Sequence, residues 1–293
     1  MQIVSCKICK KVVELLCLSK GIIGGHMKKR IIVLLSLLLL ISLVGCSKKT
    51  DTKDKLQQDP MTIYKEAVDK MSKIDAMDTA MTVTMSLTQG DQTTDMTMDM
   101  TAKMKNRNSK DMKYLSSMKA SILGKDVEMN LMFDKETYYA DMLGQKIKCK
   151  LDYQKMLDQV NKSAIQPNDM SQFIEDAEVK KVGDNNVISY KIDGDKMTQF
   201  IQYMMKNLGT NLNDTELSYA EIEGSGETTI DKDGYFSSVK MNISFNVEAN
   251  SQTMKIDMVT DMTYNQIGDK VEDFEIPDTS GYTEVDPSSL NLQ

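Results

Sequence analysis

The sequence is poor in histidine and has no tryptophan: His26 is the single histidine among 293 residues. Hydrolytic and acyl-transfer sites of the Ser-His-Asp or Cys-His kind need a positioned histidine base. Because His26 precedes the part of the chain that we expect to fold, such sites are excluded from the folded part. We therefore expect no enzyme activity and no catalytic residue.

Glycine-rich loops that bind phosphate are also missing. The stretch "GIIGG" at 21–25 lies near the N-terminus, and "EGSGE" at 223–227 lacks a lysine and a following helix. The stretches "DGDK" at 193–196 and "DKDG" at 231–234 resemble fragments of calcium loops but lack the downstream glutamate. We interpret them as a helix cap and a turn, and expect no cofactor and no metal.

Positive charge is scarce after the N-terminal region. Residues 1–45 hold seven Lys/Arg and one glutamate, whereas the remainder carries 29 basic and 42 acidic residues. An acidic body disfavours nucleic acid as a partner. The carboxylates Asp91, Asp95, Asp99, Asp111 and Asp261 are expected to face solvent, since on strands they alternate with apolar positions.

Long apolar runs are limited to one near the N-terminus. Lys28, Lys29 and Arg30 precede the 13 residues Ile31 to Leu43, too few for a comfortable membrane span of about 20 residues. The run ends in Leu43-Val44-Gly45-Cys46, which resembles the lipobox of bacterial lipoproteins. This resemblance implies that Cys46 is acylated and anchors the protein to the outer face of the cytoplasmic membrane. An ordinary signal anchor with an incidental cysteine is the alternative.

Residues 1–26 do not fit a signal peptide, which normally begins close to its charged region. We expect Met27 to be the true start, since Gly24-Gly25-His26 can be encoded by a purine-rich ribosome-binding sequence ahead of an ATG. Cys6, Cys9, Cys17 and His26 superficially suggest zinc, but their spacing matches no standard finger. Residues 27–45 are then the signal peptide and 46–59 a flexible tether.

Two cysteines remain in the mature chain, Cys46 and Cys149. If Cys46 carries lipid, no intrachain disulfide is available. Ile147, Cys149 and Leu151 share one alternating face, so we expect Cys149 to be a buried, inert thiol.

The pattern after the tether predicts one folded domain at 60–280 and a polar tail at 281–293. Asp59 and Pro60 are suitable for capping a helix over about 60–77. Further short helices are predicted around Met156–Val160, at Phe173 and Ile174, and over Met197–Leu208. Alternating residues predict strands at 79–88, 93–104, 111–122, 126–133, 136–142, 145–151, 178–183, 186–192, 216–223, 226–231, 239–247 and 254–264.

This order of elements predicts an α+β fold, with about ten strands in one large curved antiparallel sheet and three or four helices on its concave side. The lipobox, tether, first helix, two groups of long strands and closing Ile276-Pro277 resemble the LolA-like and LppX-type lipoproteins, including Gram-positive lipoproteins of that shape. The resemblance implies a half-barrel whose concave face holds lipid or acyl chains. It brings no catalytic residue with it.

Methionine is unusually abundant: the chain has 25 methionines but only 6 phenylalanines. In "TTDMTMDMTAKM" at 93–104 it occupies nearly every second position. The candidate hydrophobic-ligand face consists of Met81, Val83, Met85, Met96, Met98, Met100, Met241, Ile243, Phe245, Met254, Ile256 and Met258. Such a face serves equally as a packed core or as a pliable cavity. Clustered thioethers also bind Cu(I), although such sites usually bring histidine or cysteine with them.

The sequence therefore predicts a monomeric, non-catalytic lipoprotein that binds a lipid or other hydrophobic ligand on this face. The alternative is a structural or protein-interaction module of the envelope, with a solid core and its function on the acidic surface. Copper binding is the remote third possibility.

Overall fold

The computed structural model describes residues 59–107, 109–122, 125–142, 144–150, 170–199, 217–249 and 252–286. Its first element is helix α1, Pro60–Ser72, which begins as the sequence predicts. The Asp59 carboxylate accepts a hydrogen bond of 2.9 Å from the Thr62 backbone N–H. The helix ends at Ser72 rather than at 77: the Lys73 backbone N–H caps it by donating to the Lys70 carbonyl oxygen, and the first strand begins at Met77.

Twelve strands follow. They are β1 Met77–Gln89, β2 Gln92–Lys105, β3 Lys113–Ile122, β4 Lys125–Asp134, β5 Thr137–Met142, β6 Gln145–Lys150, β7 Ile174–Val182, β8 Asn185–Ile192, β9 Leu217–Ile230, β10 Phe236–Ala249, β11 Gln252–Ile267 and β12 Thr283–Glu284. Helix α2 occupies 194–199, and short 3₁₀ turns lie at Met170–Phe173 and Gly268–Lys270.

The strands form one open sheet in the order β12-β6-β5-β4-β3-β2-β1-β11-β10-β9-β8-β7. Two up-and-down meanders, β1 to β6 and β7 to β11, are joined where β1 pairs antiparallel with β11. Only the β12–β6 pairing among these strands is parallel. The predicted single large antiparallel sheet is confirmed, and its meander topology follows from the short turns between neighbouring strands.

Several details of the prediction are wrong. The fold is mostly β, since the described ranges contain only α1 and α2 as α-helices, and the sheet has twelve strands rather than about ten. Phe173 ends a 3₁₀ turn and Ile174 opens β7, because the backbone there pairs with Ile192 of β8. The helix predicted at 156–160 lies outside the described residues, as does the predicted helix beyond 199.

The strand predicted to break at "EGSGE" is continuous. β9 runs through both glycines and accommodates a bulge near Glu221, whose φ is +55°. The other two motifs behave as expected. Asp193 Oδ1 accepts from the Lys196 backbone N–H at 3.0 Å at the start of α2, and Asp231 Oδ1 accepts from two backbone N–H groups in the turn at Gly234.

Helix α1 lies on one face of the sheet, which we call the helix face; the other is the outer face. Tyr64 packs against Tyr190 of β8 and Phe236 of β10, with ring centroids 6.3 and 5.4 Å apart. At the other end of the helix, Lys70 Nζ donates to the Asp233 carbonyl oxygen at 2.6 Å. These contacts fix α1 over the second meander.

Two glycines of β9 make this docking possible. A Cβ on Gly226 would lie 2.3 Å from the ring of Tyr190, and one on Gly224 would lie 2.8 Å from Ile192 Cγ1. Because β9 carries no side chain at these two positions, the Tyr190 ring can lie across the strand and contact Tyr64. The two glycines of "EGSGE" thus allow Ile192 and Tyr190 to pack closely against β9.

A C-terminal segment, residues 271–286, lies across the outer face of the first meander. Val271 and Tyr282 are buried, and the Tyr282 ring meets Tyr139 of β5 edge to face at 5.4 Å. Asp273 pairs with Lys105 of β2, and β12 then extends the sheet beyond β6. Met132, which points to this face from β4, is only 2% exposed.

Replacing Gly226 by alanine should destabilise the protein by about 1–3 kcal/mol, since the new methyl group would force Tyr190 away from β9 and Tyr64. The urea midpoint of unfolding measures this loss. Gly281→Ala is the matched control, because a Cβ there would meet only Lys146 Cδ, at 4.0 Å. Equal midpoints for the two variants would contradict the packing role of Gly226.

Candidate hydrophobic-ligand face

The pairing register brings all twelve residues predicted for the candidate face to the helix face of four adjacent strands, in the order β2, β1, β11, β10. Met96, Met85, Met258 and Ile243 form one row across these strands. In the next two rows, Met98 lies beside Val83 and Ile256 beside Phe245. Since side chains alternate along strands, residues in these rows all point the same way.

Ten of the twelve residues are buried. They are Met81, Val83, Met85, Met96, Met98, Met100, Met241, Ile243, Phe245 and Ile256. The exceptions, Met254 and Met258, are half-buried and lie on β11. Met262 and Tyr264, farther along the same strand and face, are half-buried too. We call these four residues the β11 stripe; each of them keeps part of its surface exposed.

Polar atoms on this face are few and most have partners. Thr228 Oγ1 donates to the Tyr190 hydroxyl at 3.4 Å, and Thr79 Oγ1 to the Ala102 carbonyl oxygen at 3.4 Å. Burial raises the pKa of Tyr264 to about 12, so its hydroxyl stays neutral at any physiological pH.

Thr260, which lies between Met258 and Met262 of the β11 stripe, differs from Thr228 and Thr79. It is 4% exposed, and its Oγ1 has no hydrogen-bond partner among the residues that the structure describes. Thr260 is not among the residues predicted for the face, because only apolar positions were assigned to it. The sequence does contain a signal for it: a threonine at position 260 interrupts the alternating apolar residues Met254, Ile256 and Met258.

Cys149 is completely buried, as the alternation at 147–151 predicts. Burial raises the pKa of its thiol, which disfavours the reactive thiolate. Within the described ranges, no three His, Cys, Asp or Glu side chains come together in a way that could hold a metal ion. On the candidate face, methionines share their rows with Val83, Ile243 and Phe245.

The outer face is polar over β1, β2 and β11. Asp95, Asp99 and Asp261 are exposed there, as predicted, whereas Asp91 and Asp111 are exposed in turns rather than on strands. Thr82 and Ser86 donate to Asp99 and Asp95 at 2.6 Å across the β1–β2 pair. These contacts are typical of a solvated sheet face.

A shallow groove of about 690 Å³ lies over β8 to β11 on this face. Its polar lining includes Glu175, Lys191, Asn242 and Asp257. Asp176 lies 2.9 Å from Lys191 Nζ and raises the pKa of that lysine, while hydrogen bonds from Lys255 and Ser244 lower the pKa of Asp257. Lys191 and Asp257 of the groove therefore each have a neighbour of opposite charge.

None of the helices that the structure describes is both long enough and apolar enough to cross a membrane. The sequence matches the family model described as "Family of unknown function (DUF6612)" over residues 59–280. The chain belongs to the DUF6612 family. No curated protein matches it.

Among solved structures, this DUF6612 chain is similar to LprF from Mycobacterium bovis, with 12% identity, a TM-score of 0.37, and coverage of 76% of this chain and 97% of that one. It is similar to the lipoprotein LppX from Mycobacterium tuberculosis, with 7% identity, a TM-score of 0.33, and coverage of 73% and 97%. The LolA superfamily protein NE2245 from Nitrosomonas europaea shares 8% identity, with a TM-score of 0.24 and coverage of 74% and 96%.

Proposed function

We propose that this DUF6612 protein is an extracytoplasmic lipoprotein that binds a hydrophobic ligand on its helix face. The observation that carries the proposal is the register of β2, β1, β11 and β10. It gathers twelve apolar side chains, eight of them methionines, and leaves the β11 stripe half-buried in their midst.

Methionine suits such a role because its unbranched side chain has three rotatable bonds and a polarizable sulfur. It can repack around ligands of different shape, whereas branched side chains such as Val83 hold one rotamer. Binding sites for small molecules are mostly apolar with a few polar groups, which is the composition found here. Met254, Met258 and Met262 give the face movable side chains where it is least covered.

The lipobox Leu43-Val44-Gly45-Cys46 supports attachment to the membrane through Cys46. Several acyl chains, each stabilised by about 0.8 kcal/mol per buried CH₂, make a durable anchor. The polar stretch Ser47–Gln58 would separate the lipid from α1, which begins at Pro60. The protein would then act as a monomer close to the bilayer, a source of hydrophobic ligands.

Replacing Cys46 by alanine should abolish lipid attachment, because the thiol is the acylation site in this account. Growth of the producing bacterium with labelled palmitate, followed by gel analysis, measures it. Cys149→Ala is the control and should keep the label, as Cys149 lies buried in the domain. Undiminished label in Cys46→Ala would contradict the anchor.

A second function has a specific observation in its favour. Ten of the twelve face residues are buried, as they would be in a solid core. On this alternative the protein is a structural or protein-interaction module of the envelope, and its acidic outer face makes the contacts.

Ligand binding should be visible by native mass spectrometry of the mature chain from Ser47, purified without detergent. The proposal predicts a co-purifying lipid, and uptake of the dye 1-anilinonaphthalene-8-sulfonate after the lipid is extracted. Met258→Trp should reduce dye uptake at least severalfold, because the indole fills the β11 stripe.

Val259→Trp is the matched control, since Val259 is the next residue on β11 but lies 42% exposed on the outer face. Circular dichroism checks that both variants are folded. Absence of both lipid and dye binding in the unmodified chain would refute ligand binding and favour the solid core.

A further inference from the structure

Within the described part of the chain, the hydroxyl of Thr260 is a buried polar group without a hydrogen-bond partner. Its cross-strand neighbours are Val83 on β1 and Met241 on β10, and its neighbours along β11 on the same face are Met258 and Met262. None of these four side chains donates or accepts a strong hydrogen bond. The buried Oγ1 therefore has an apolar environment on every side within the sheet.

Such an arrangement is unfavourable for stability alone. A buried hydroxyl that lacks a partner keeps its full desolvation cost, whereas valine would fill nearly the same volume without that cost. The sheet does use valine at the adjacent position, where Val259 lies on the wet outer face. The buried position 260 thus carries a polar residue, and the exposed position 259 carries an apolar one.

Two other threonines on the helix face show that the fold can satisfy such groups. Thr228 and Thr79 both have acceptors at 3.4 Å. Thr260 is also the residue around which the half-buried methionines of the β11 stripe are arranged. An unused hydrogen-bonding group thus lies between two half-buried methionines, Met258 and Met262.

We propose that Thr260 Oγ1 donates a hydrogen bond to the carbonyl oxygen of a neutral acyl ester, and that the acyl chain of this ligand lies along β11. The inference rests on the proposed function and specifies its ligand class. A pure hydrocarbon would leave Oγ1 unpaired. A fatty-acid carboxylate would place a charge among Val83, Met241, Met258 and Met262, none of which can compensate it.

The length of the stripe and the flexibility of methionine side chains fit such a ligand. From Thr260 to Met254 the strand extends about 20 Å, which is about the length of an extended acyl chain. Met258 and Met262 flank Thr260 and are half-buried, so rotation of their side chains opens the way to Oγ1. The ester is thereby held where the methionines can close over it.

The test compares two probes that differ only in the carbonyl group, 1-monopalmitoylglycerol and its ether analogue 1-O-hexadecylglycerol. Affinities are measured by displacement of the dye from the mature chain. The unmodified chain should bind the ester roughly two- to tenfold more tightly than the ether, as expected for one net hydrogen bond. In Thr260→Val this preference should vanish, while the affinity for the ether stays unchanged.

Thr263→Val is the control, because Thr263 lies on the same strand but is exposed on the outer face; it should behave like the unmodified chain. The urea midpoint of ligand-free Thr260→Val should be equal to or higher than that of the unmodified chain. A lower midpoint would show that Oγ1 already has a partner and would overturn the inference.

The remaining outcomes separate the two proposals. Equal binding of ester and ether to the unmodified chain, or an ester preference that survives in Thr260→Val, would overturn the role of Thr260 and leave hydrophobic-ligand binding intact. Failure of the unmodified chain to bind either probe would refute the proposed function together with this inference.

Discussion

The pairing of β1 with β11 is the interaction on which the rest of the structure depends. It joins two meanders that are distant in sequence, and it aligns Met81 with Met262 and Met85 with Met258. Because side chains alternate with a period of two, a slip of one residue in this pairing would turn the whole methionine set of one meander to the outer face. The same register therefore creates the core, the β11 stripe and the position of Thr260.

Local patterns of the sequence were sufficient for much of this fold. The alternation in β1 and β2, with Gly90 between them, specifies a hairpin and the face that its methionines share. The pairing of β1 with β11 could not be derived in this way, because local sequence patterns do not specify which distant strand pairs with β1. The same holds for the parallel contact of β12 with β6. At Phe173 and Ile174 a short apolar pair was compatible with helix or strand, and tertiary pairing with β8 decided for the strand.

The sequence predicts which residues form the candidate face, but it does not predict how deeply each of them is buried. Alternation identifies Met254 and Met258 in the same way as Ile256, yet only packing makes Ile256 fully buried and its neighbours half-buried. Thr260 was missed for a related reason: a search for apolar residues passes over a polar one in their midst. Its unpaired hydroxyl becomes informative only when all four neighbours are known.

The central claim, that the β11 stripe receives a hydrophobic ligand, is tested most directly by NMR of the methionine methyl groups during titration with 1-monopalmitoylglycerol. The account predicts that the methyl signals of Met254, Met258 and Met262 shift together. The signal of Met132, buried on the outer face beneath the C-terminal segment, should stay in place. Stripe signals that do not respond, or a shift of Met132 as large as theirs, would contradict it.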